Sequence, residues 1–173
     1  TLPLTIIDDD AELNLAVQDL TIDETIGIAQ VVVTMSAPAA MPISVDVTMT
    51  PVTAVDGNDY TDSPITLTWP PGTTGPLLVD IPILDDVFNE PTETFLVNLG
   101  VPNAGQVLDG QATVTILDND PIPTLSVISN GHLESSGTIL LQVTMANLSQ
   151  NTVTVQLSTS AGSAKAGTDY LDT

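Results

Sequence analysis

The chain has 173 residues, 22 of them acidic against a single base, Lys165, and a formal charge of −21. That balance excludes a nucleic-acid binder, whose phosphate contacts need Lys and Arg, and argues equally against an anionic membrane surface. A hydrophobic share of 42% excludes a disordered acidic tail, and the absence of cysteine removes disulfides, thiol chemistry and Cys-based metal sites.

In chain order, Leu4-Thr5-Ile6-Ile7 reads as a strand running into Asp8-Asp9-Asp10. Period-2 alternation then predicts strands at about 13–18, 28–36, 43–50, 65–69, 77–83, 94–99 and 112–117. Ile43, Val45, Val47 and Met49 face one way; Ser44, Asp46, Thr48 and Thr50 face the other. Thirteen Pro and eleven Gly punctuate the runs, at Asp56-Gly57, Pro70-Pro71-Gly72 and Asp109-Gly110 among others. Further on, Val153-Thr154-Val155-Gln156-Leu157 alternates in the same way. No apolar run approaches the roughly 18–20 residues of a membrane-spanning helix.

The chain repeats itself at a spacing of 110 residues. Leu4 to Asp10 returns as Val114-Thr115-Ile116-Leu117-Asp118-Asn119-Asp120. Glu24 and Gly27 return as Glu134 and Gly137, and Val33-Thr34-Met35 as Val143-Thr144-Met145. Gly57, Asp59 and Tyr60 return as Gly167, Asp169 and Tyr170. A fixed period over separated islands means duplicated modules. We therefore expect the terminal strand of one repeat at 1–10, a complete repeat at 11–120 and the N-terminal part of another at 121–173. Seven short strands in one period predict an all-β fold, an immunoglobulin-like antiparallel sandwich in tandem. Asp118-Asn119-Asp120 runs straight into Pro121-Ile122-Pro123, so the junction is short and stiff.

Laid on this frame, the acids fall in four separated segments. Glu24 precedes a strand, and Asp59 precedes Tyr60 at a turn. Asp85, Asp86, Glu90 and Glu93 sit in a loop between two strands, and Asp118, Asn119 and Asp120 close the repeat. Alternate loops of a sandwich gather at one end, so these segments can meet. Turn formation and a solvated acidic coat are the alternative use of such residues.

Four elements in order carry a family resemblance: Glu24–Gly27, Ala54–Tyr60, Asp85–Phe95 and Asp118–Asp120. Together they resemble the Calx-beta domain of sodium–calcium exchangers, an integrin beta subunit and large bacterial surface proteins. The resemblance spans 11–120 fully and both flanks in part. It implies a seven-stranded sandwich with calcium at one end, near the junction with the next module. Carried over residue by residue, the implied ligands are Glu24, Asp59, Asp86, Glu90, Glu93, Asp118 and Asp120, with Asp85 and Asn119 as secondary candidates. Calcium takes about 6–8 oxygens, and carboxylates supply them. The family often has three consecutive Asp in both acidic runs. Here Val87 follows Asp85-Asp86, and Asn119 splits the last run, which implies fewer ions or weaker binding.

No enzyme is indicated: there is no Ser–His arrangement and no phosphate-binding glycine loop, and calcium accounts for the paired carboxylates. His132 sits in a turn, and Trp69 and Phe95 read as core or rim residues. Phe88 is expected to pack beneath the acidic loop. Asn147-Leu148-Ser149 matches a glycosylation acceptor. The expected whole is a calcium-stiffened structural or adhesive segment of a large extracellular or cell-surface protein. Its partners are neighbouring repeats and other copies of the chain, with neither nucleic acid nor direct membrane insertion. A filament subunit completed by strand pairing between chains, and a regulatory calcium sensor, stand as alternatives.

Overall fold

Alternation commits one face of each strand to an interior, and two such faces must close on each other. The computed structural model describes residues 12–128 and 131–171, so the expected strand at 1–10 lies outside the described residues. The chain divides into two compact units. One runs to Asp86 and resumes over Pro91–Asn119; the other comprises Val87–Glu90 and the chain from Asp120 onward.

The first unit contains β1 (Asn14–Val17), β2 (Leu20–Asp23), β3 (Ile28–Met35), β4 (Ile43–Pro51), β5 (Ile65–Trp69) and β6 (Leu77–Pro82). It continues, after β7 (Phe88–Asn89) of the second unit, with β8 (Glu93–Leu99), β9 (Gln106–Asp109) and β10 (Gln111–Leu117). They form a four-stranded sheet, β6-β3-β1-β9, and a five-stranded sheet, β2-β10-β8-β4-β5. The alternating faces meet as one core, in which Leu15, Val31, Val33, Val47, Val79, Ile81, Phe95 and Val97 are fully buried. Trp69 joins them, and its indole N–H is satisfied by the Gly75 carbonyl at 2.8 Å.

Three details differ from the sequence expectation. The single strand expected over 13–18 is short, and the chain crosses from one sheet to the other at Gln18-Asp19, so β1 and β2 lie in different sheets. The Asp19 carboxylate accepts the Thr113 N–H at 2.7 Å and fixes the crossing. The pairs β1–β9 and β2–β10 are parallel, so one edge pairing of each sheet is parallel and the others are antiparallel. The strand β9 is not expected either, because its pattern is weak and ends at the Asp109-Gly110 turn signal.

Gly105 marks the tightest backbone approach. Its φ is +83°, and a Cβ there would stand 2.1 Å from Leu13 Cδ2 and 2.7 Å from the Leu13 carbonyl oxygen. Gly105→Ala is therefore expected to cost more than the roughly 1 kcal/mol of a left-handed alanine alone. The urea midpoint of the first unit, followed by Trp69 fluorescence, measures it.

The second unit contains β7, β11 (Thr124–Ile128), β12 (Gln142–Ala146) and β13 (Leu148–Ser149). β11 pairs with β12 antiparallel, and β7 with β13 parallel. The pairing Leu125↔Met145 and Val127↔Val143 repeats Leu15↔Met35 and Val17↔Val33 of the first unit, 110 residues on. Burial does not repeat: Leu15 is 0% exposed and Leu125 is 40%. Residues 153–157 form no strand, contrary to their alternation. The first-unit counterpart of this run, β4, is held between β5 and β8, and no described strand stands beside 153–157 to complete a ladder.

Candidate metal centre

The acidic residues of the first unit are brought together by strand register and backbone anchoring. In the parallel pair β2–β10, Asp23 stands beside Leu117. The next residues, Glu24 and Asp118, leave the sheet side by side, and a carboxylate oxygen of one lies within 4.8 Å of one of the other. Glu24 opens a single 3-10 turn, Glu24–Ile26, capped by the Asp23 side chain. Gly27 closes the turn at φ 73°, a left-handed backbone that suits glycine. The Gly27 carbonyl then accepts the Ile83 N–H at 3.0 Å, tying the turn to the end of β6.

Asp59 is carried by a strap over 53–62. At its start, the N–H groups of Thr53 and Ala54 both donate to the Thr94 carbonyl at 3.0 Å, while Thr94 N–H returns a bond to the Thr53 hydroxyl at 2.8 Å. At its end, Thr61 N–H donates to the Pro82 carbonyl, and Leu84 N–H to the Asp59 carbonyl, each at 3.0 Å. Between these anchors the Tyr60 ring stacks on Phe95, centroids 4.1 Å apart and planes 11° from parallel. Asp59 thus sits over the first residue of β8, Glu93, and the two share oxygens within 4.8 Å. The Asp59 Oδ2 accepts the Val55 N–H at 2.6 Å, which leaves Oδ1 for another partner.

The candidates are placed unequally. Glu24 is 5% exposed, Asp59 8% and Glu93 9%. Glu93 belongs to a strand rather than to the loop where sequence reading put it. Asp85 Oδ1 accepts the Asn119 Nδ2–H at 3.0 Å, so Asn119 serves the acidic end as a donor that orients a carboxylate. Asp86 is exposed. Glu90 and Asp120 fall in the second unit, where the Asp120 carbonyl accepts the Asn89 Nδ2–H at 3.1 Å. Phe88, expected beneath the acidic loop, is 39% exposed and pairs with Leu148 in β7–β13. Asn147, the glycosylation candidate, has a positive φ of 64° and donates from Nδ2 to the Ile122 carbonyl at 3.1 Å.

Asp23 was missed by the sequence reading, although Asp before Glu-Thr is a recognisable capping signal. Its carboxylate accepts the Thr25 hydroxyl at 2.6 Å and the Thr25 N–H at 3.1 Å. These bonds, side chain first, hold its pKa below the ordinary 3.8, with a further lowering contribution from Asn119. A depressed carboxylate contributes stability that is present above its unfolded pKa and lost as pH falls through the folded one. The stability gap between wild type and Asp23→Ala is therefore expected to be widest above about pH 4 and to close in acid. Urea midpoints across a pH series read it directly.

Strap, turn and strand ends together define a class of domain: an immunoglobulin-like β-sandwich with buried carboxylates converging at one end. The Calx-beta domain profile matches residues 7–120 and 123–173, and the chain belongs to that family. Among solved structures, the apo form of the Calx CBD1 domain is 27% identical, with a TM-score of 0.59 over 64% of this chain and 100% of that one. CBD12 from CALX1.2 is 28% identical, with a TM-score of 0.58 over 62% of this chain and 44% of its own. The calcium binding domain CBD12 of CALX1.1 is 26% identical, with a TM-score of 0.58 over 65% and 49%. The chain thus spans about half the length of those two longer structures. No curated protein matches the sequence.

Proposed function

We propose that this chain is a calcium-binding segment of a tandem Calx-beta array, in which calcium neutralises and stiffens the acidic end of each complete repeat. One observation carries the reading. Glu24, Asp59 and Glu93 are buried in a unit whose sequence holds no Lys, Arg or His, the one base being Lys165 of the second unit. Buried carboxylates need a counter-charge, and nothing basic in the unit supplies one. The donor set fits calcium, a hard cation that takes about 6–8 oxygens from carboxylates and backbone carbonyls. Glu24 with Asp118, and Asp59 with Glu93, are the paired ligands. Asp86, Asp120 (two residues beyond Asp118) and Glu90 (three residues before Glu93) are further ligands by their place in the family motif. When bound, calcium supplies positive charge only; the residues hold it and take up no proton or electron.

In this reading, residues 11–120 are the complete repeat and 121–173 the start of the next, and the array is a structural or adhesive part of an extracellular or cell-surface protein. The similarity to the calcium binding domain of CALX1.1 supports a second reading, a regulatory sensor. Calcium titration calorimetry combined with small-angle scattering separates them. A stiffening site saturates at about 10⁻⁴–10⁻³ M and narrows the range of shapes; a sensor saturates at about 10⁻⁷–10⁻⁵ M and shifts to a new shape. No heat of binding at millimolar calcium would sink both.

A further inference from the structure

The first unit holds no Lys, Arg or His, and several of its outlying carboxylates are met by neutral donors instead. Asp19 Oδ1 accepts the Thr113 N–H at 2.7 Å, Asp46 Oδ1 the Thr66 hydroxyl at 2.6 Å and Asp80 Oδ1 an Nε2–H of Gln30 at 2.9 Å. Asp85 follows the same pattern, although the family motif offers it as a secondary ligand. Its Oδ1 accepts from Asn119 Nδ2 at 3.0 Å, between segments 34 residues apart in the chain. Among the described residues, Asp85 joins neither group of acids whose oxygens lie within 4.8 Å of one another. Asp118, the residue before Asn119, does join one, with Glu24.

The direction of this bond decides what Asn119 can do. An amide turned the other way sets its oxygen against the carboxylate oxygen, a repulsive contact, so the N–H faces Asp85 at this 3.0 Å separation. A calcium ion shared by the two residues needs an oxygen from each. To supply one, the Asn119 amide has to turn over, give up its bond to Asp85 and offer an oxygen without charge. Calcium affinity depends on the count of charged ligands, and this pair contains a single carboxylate. The amide N–H therefore stands where a cation between residues 85 and 119 has to sit.

We propose that Asn119 is a specificity-determining residue that sets how many calcium ions the first repeat holds. Its amide engages Asp85 and keeps an ion from being shared there, so calcium is confined to the ligands assigned above, of which Asp85 is not one. The proposal rests on the calcium reading and deepens it. Asn119→Asp puts two carboxylates where one donor and one acceptor now stand, an arrangement that is stable only with a proton or a cation between them.

The test counts ions by calorimetric calcium titration of the full 173-residue chain. The variants are Asn119→Asp, Asp85→Asn and the exchange that carries both. Asn119→Asp is expected to take up one calcium more per chain than wild type. Asp85→Asn keeps the wild-type number, with an affinity within about threefold, the share of one exposed charge. The exchange again pairs one amide with one carboxylate, donor and acceptor reversed, and returns the number to that of wild type. Melting in chelator adds a readout without the ion: Asn119→Asp melts below wild type, and the exchange recovers the loss. A folded Asn119→Asp with the wild-type number of ions overturns the proposal. So does an Asp85→Asn that loses an ion or binds about tenfold more weakly, since Asp85 is then a ligand. An exchange that keeps the extra ion overturns it too, and if Asn119→Asp does not fold, Asp85→Asn decides alone. In each of these cases wild type still binds calcium and the calcium reading stands; if wild type binds none, that reading falls and the proposal falls with it.

Discussion

Calcium at about 100-fold its dissociation constant is expected to raise the melting temperature of the first unit by about 10 °C or more over its value in chelator. Binding to the folded state alone contributes about 2.7 kcal/mol when the free ion stands 100-fold above its dissociation constant. In a domain of about 100 residues, each kcal/mol moves the midpoint by about 4–8 °C. Trp69, the single tryptophan, lies in the core of this unit, so its fluorescence follows this transition and not that of the second unit. Glu93→Gln is expected to act in opposite directions in the two conditions. Without calcium it removes repulsion between two carboxylates whose oxygens lie within 4.8 Å, a term of about 3 kcal/mol at an effective dielectric constant of about 20. With calcium it removes a ligand, and most of the shift disappears. If the acids serve only as turn formers, calcium and chelator give the same melting curve for wild type and variant alike.

Phe95→Ala is expected to destabilise the first unit by about 3–5 kcal/mol, read as a lower urea midpoint of Trp69 fluorescence. Phe95 is fully buried, and its loss also removes the platform on which Tyr60 stacks. The damage should therefore reach the acidic end. Tyr60 carries the strap, and the strap carries Asp59, so calcium affinity should fall as well as stability. Phe95→Leu, which keeps apolar volume but not the stacking, is expected to recover most of the stability and less of the calcium affinity. Equal recovery of both would show that the strap is held by its backbone anchors alone. The equivalent of a core truncation in the second unit behaves differently. Leu125 occupies the repeat position of Leu15 yet is 40% exposed, so Leu125→Ala should leave the Trp69 transition where it is.

How much of this was legible beforehand depends on the range of the interaction. The strands β3, β4, β5, β6 and β8 fell where alternation put them, because each exposes one face to the core along its whole length. The division of the first strand into β1 and β2 was not legible. It depends on which sheet each half joins, and the partners β9 and β10 lie some 90 residues away. Among the site residues, the family motif named Glu24, Asp59, Glu93 and Asp118, and the structure brings these together in two pairs. It leaves Asp86 exposed and gives Asn119 to Asp85 as a hydrogen-bond donor. Asn119 reads as a diluted aspartate in sequence; only the fold shows what its amide faces.

The duplicated repeat separates local from tertiary causes with unusual directness. The Asp-Tyr turn closes through the same bonds in both copies: Gly57 N–H to the Tyr60 carbonyl at 2.8 Å and Val55 N–H to Asp59 Oδ2 at 2.6 Å, then Gly167 to Tyr170 at 2.7 Å and Lys165 to Asp169 at 2.8 Å. Its glycines take φ of 86° and 81°. The strand pair Leu15↔Met35 likewise returns in register as Leu125↔Met145. These features span few residues or one hairpin-like pairing, and the sequence by itself determined them. Among the described residues, burial of Tyr60 on Phe95, removal of Leu15 from water and convergence of buried carboxylates are found in the first unit. Each requires an opposing sheet and strand ends brought from distant parts of the chain, and a second copy of the local pattern cannot supply either.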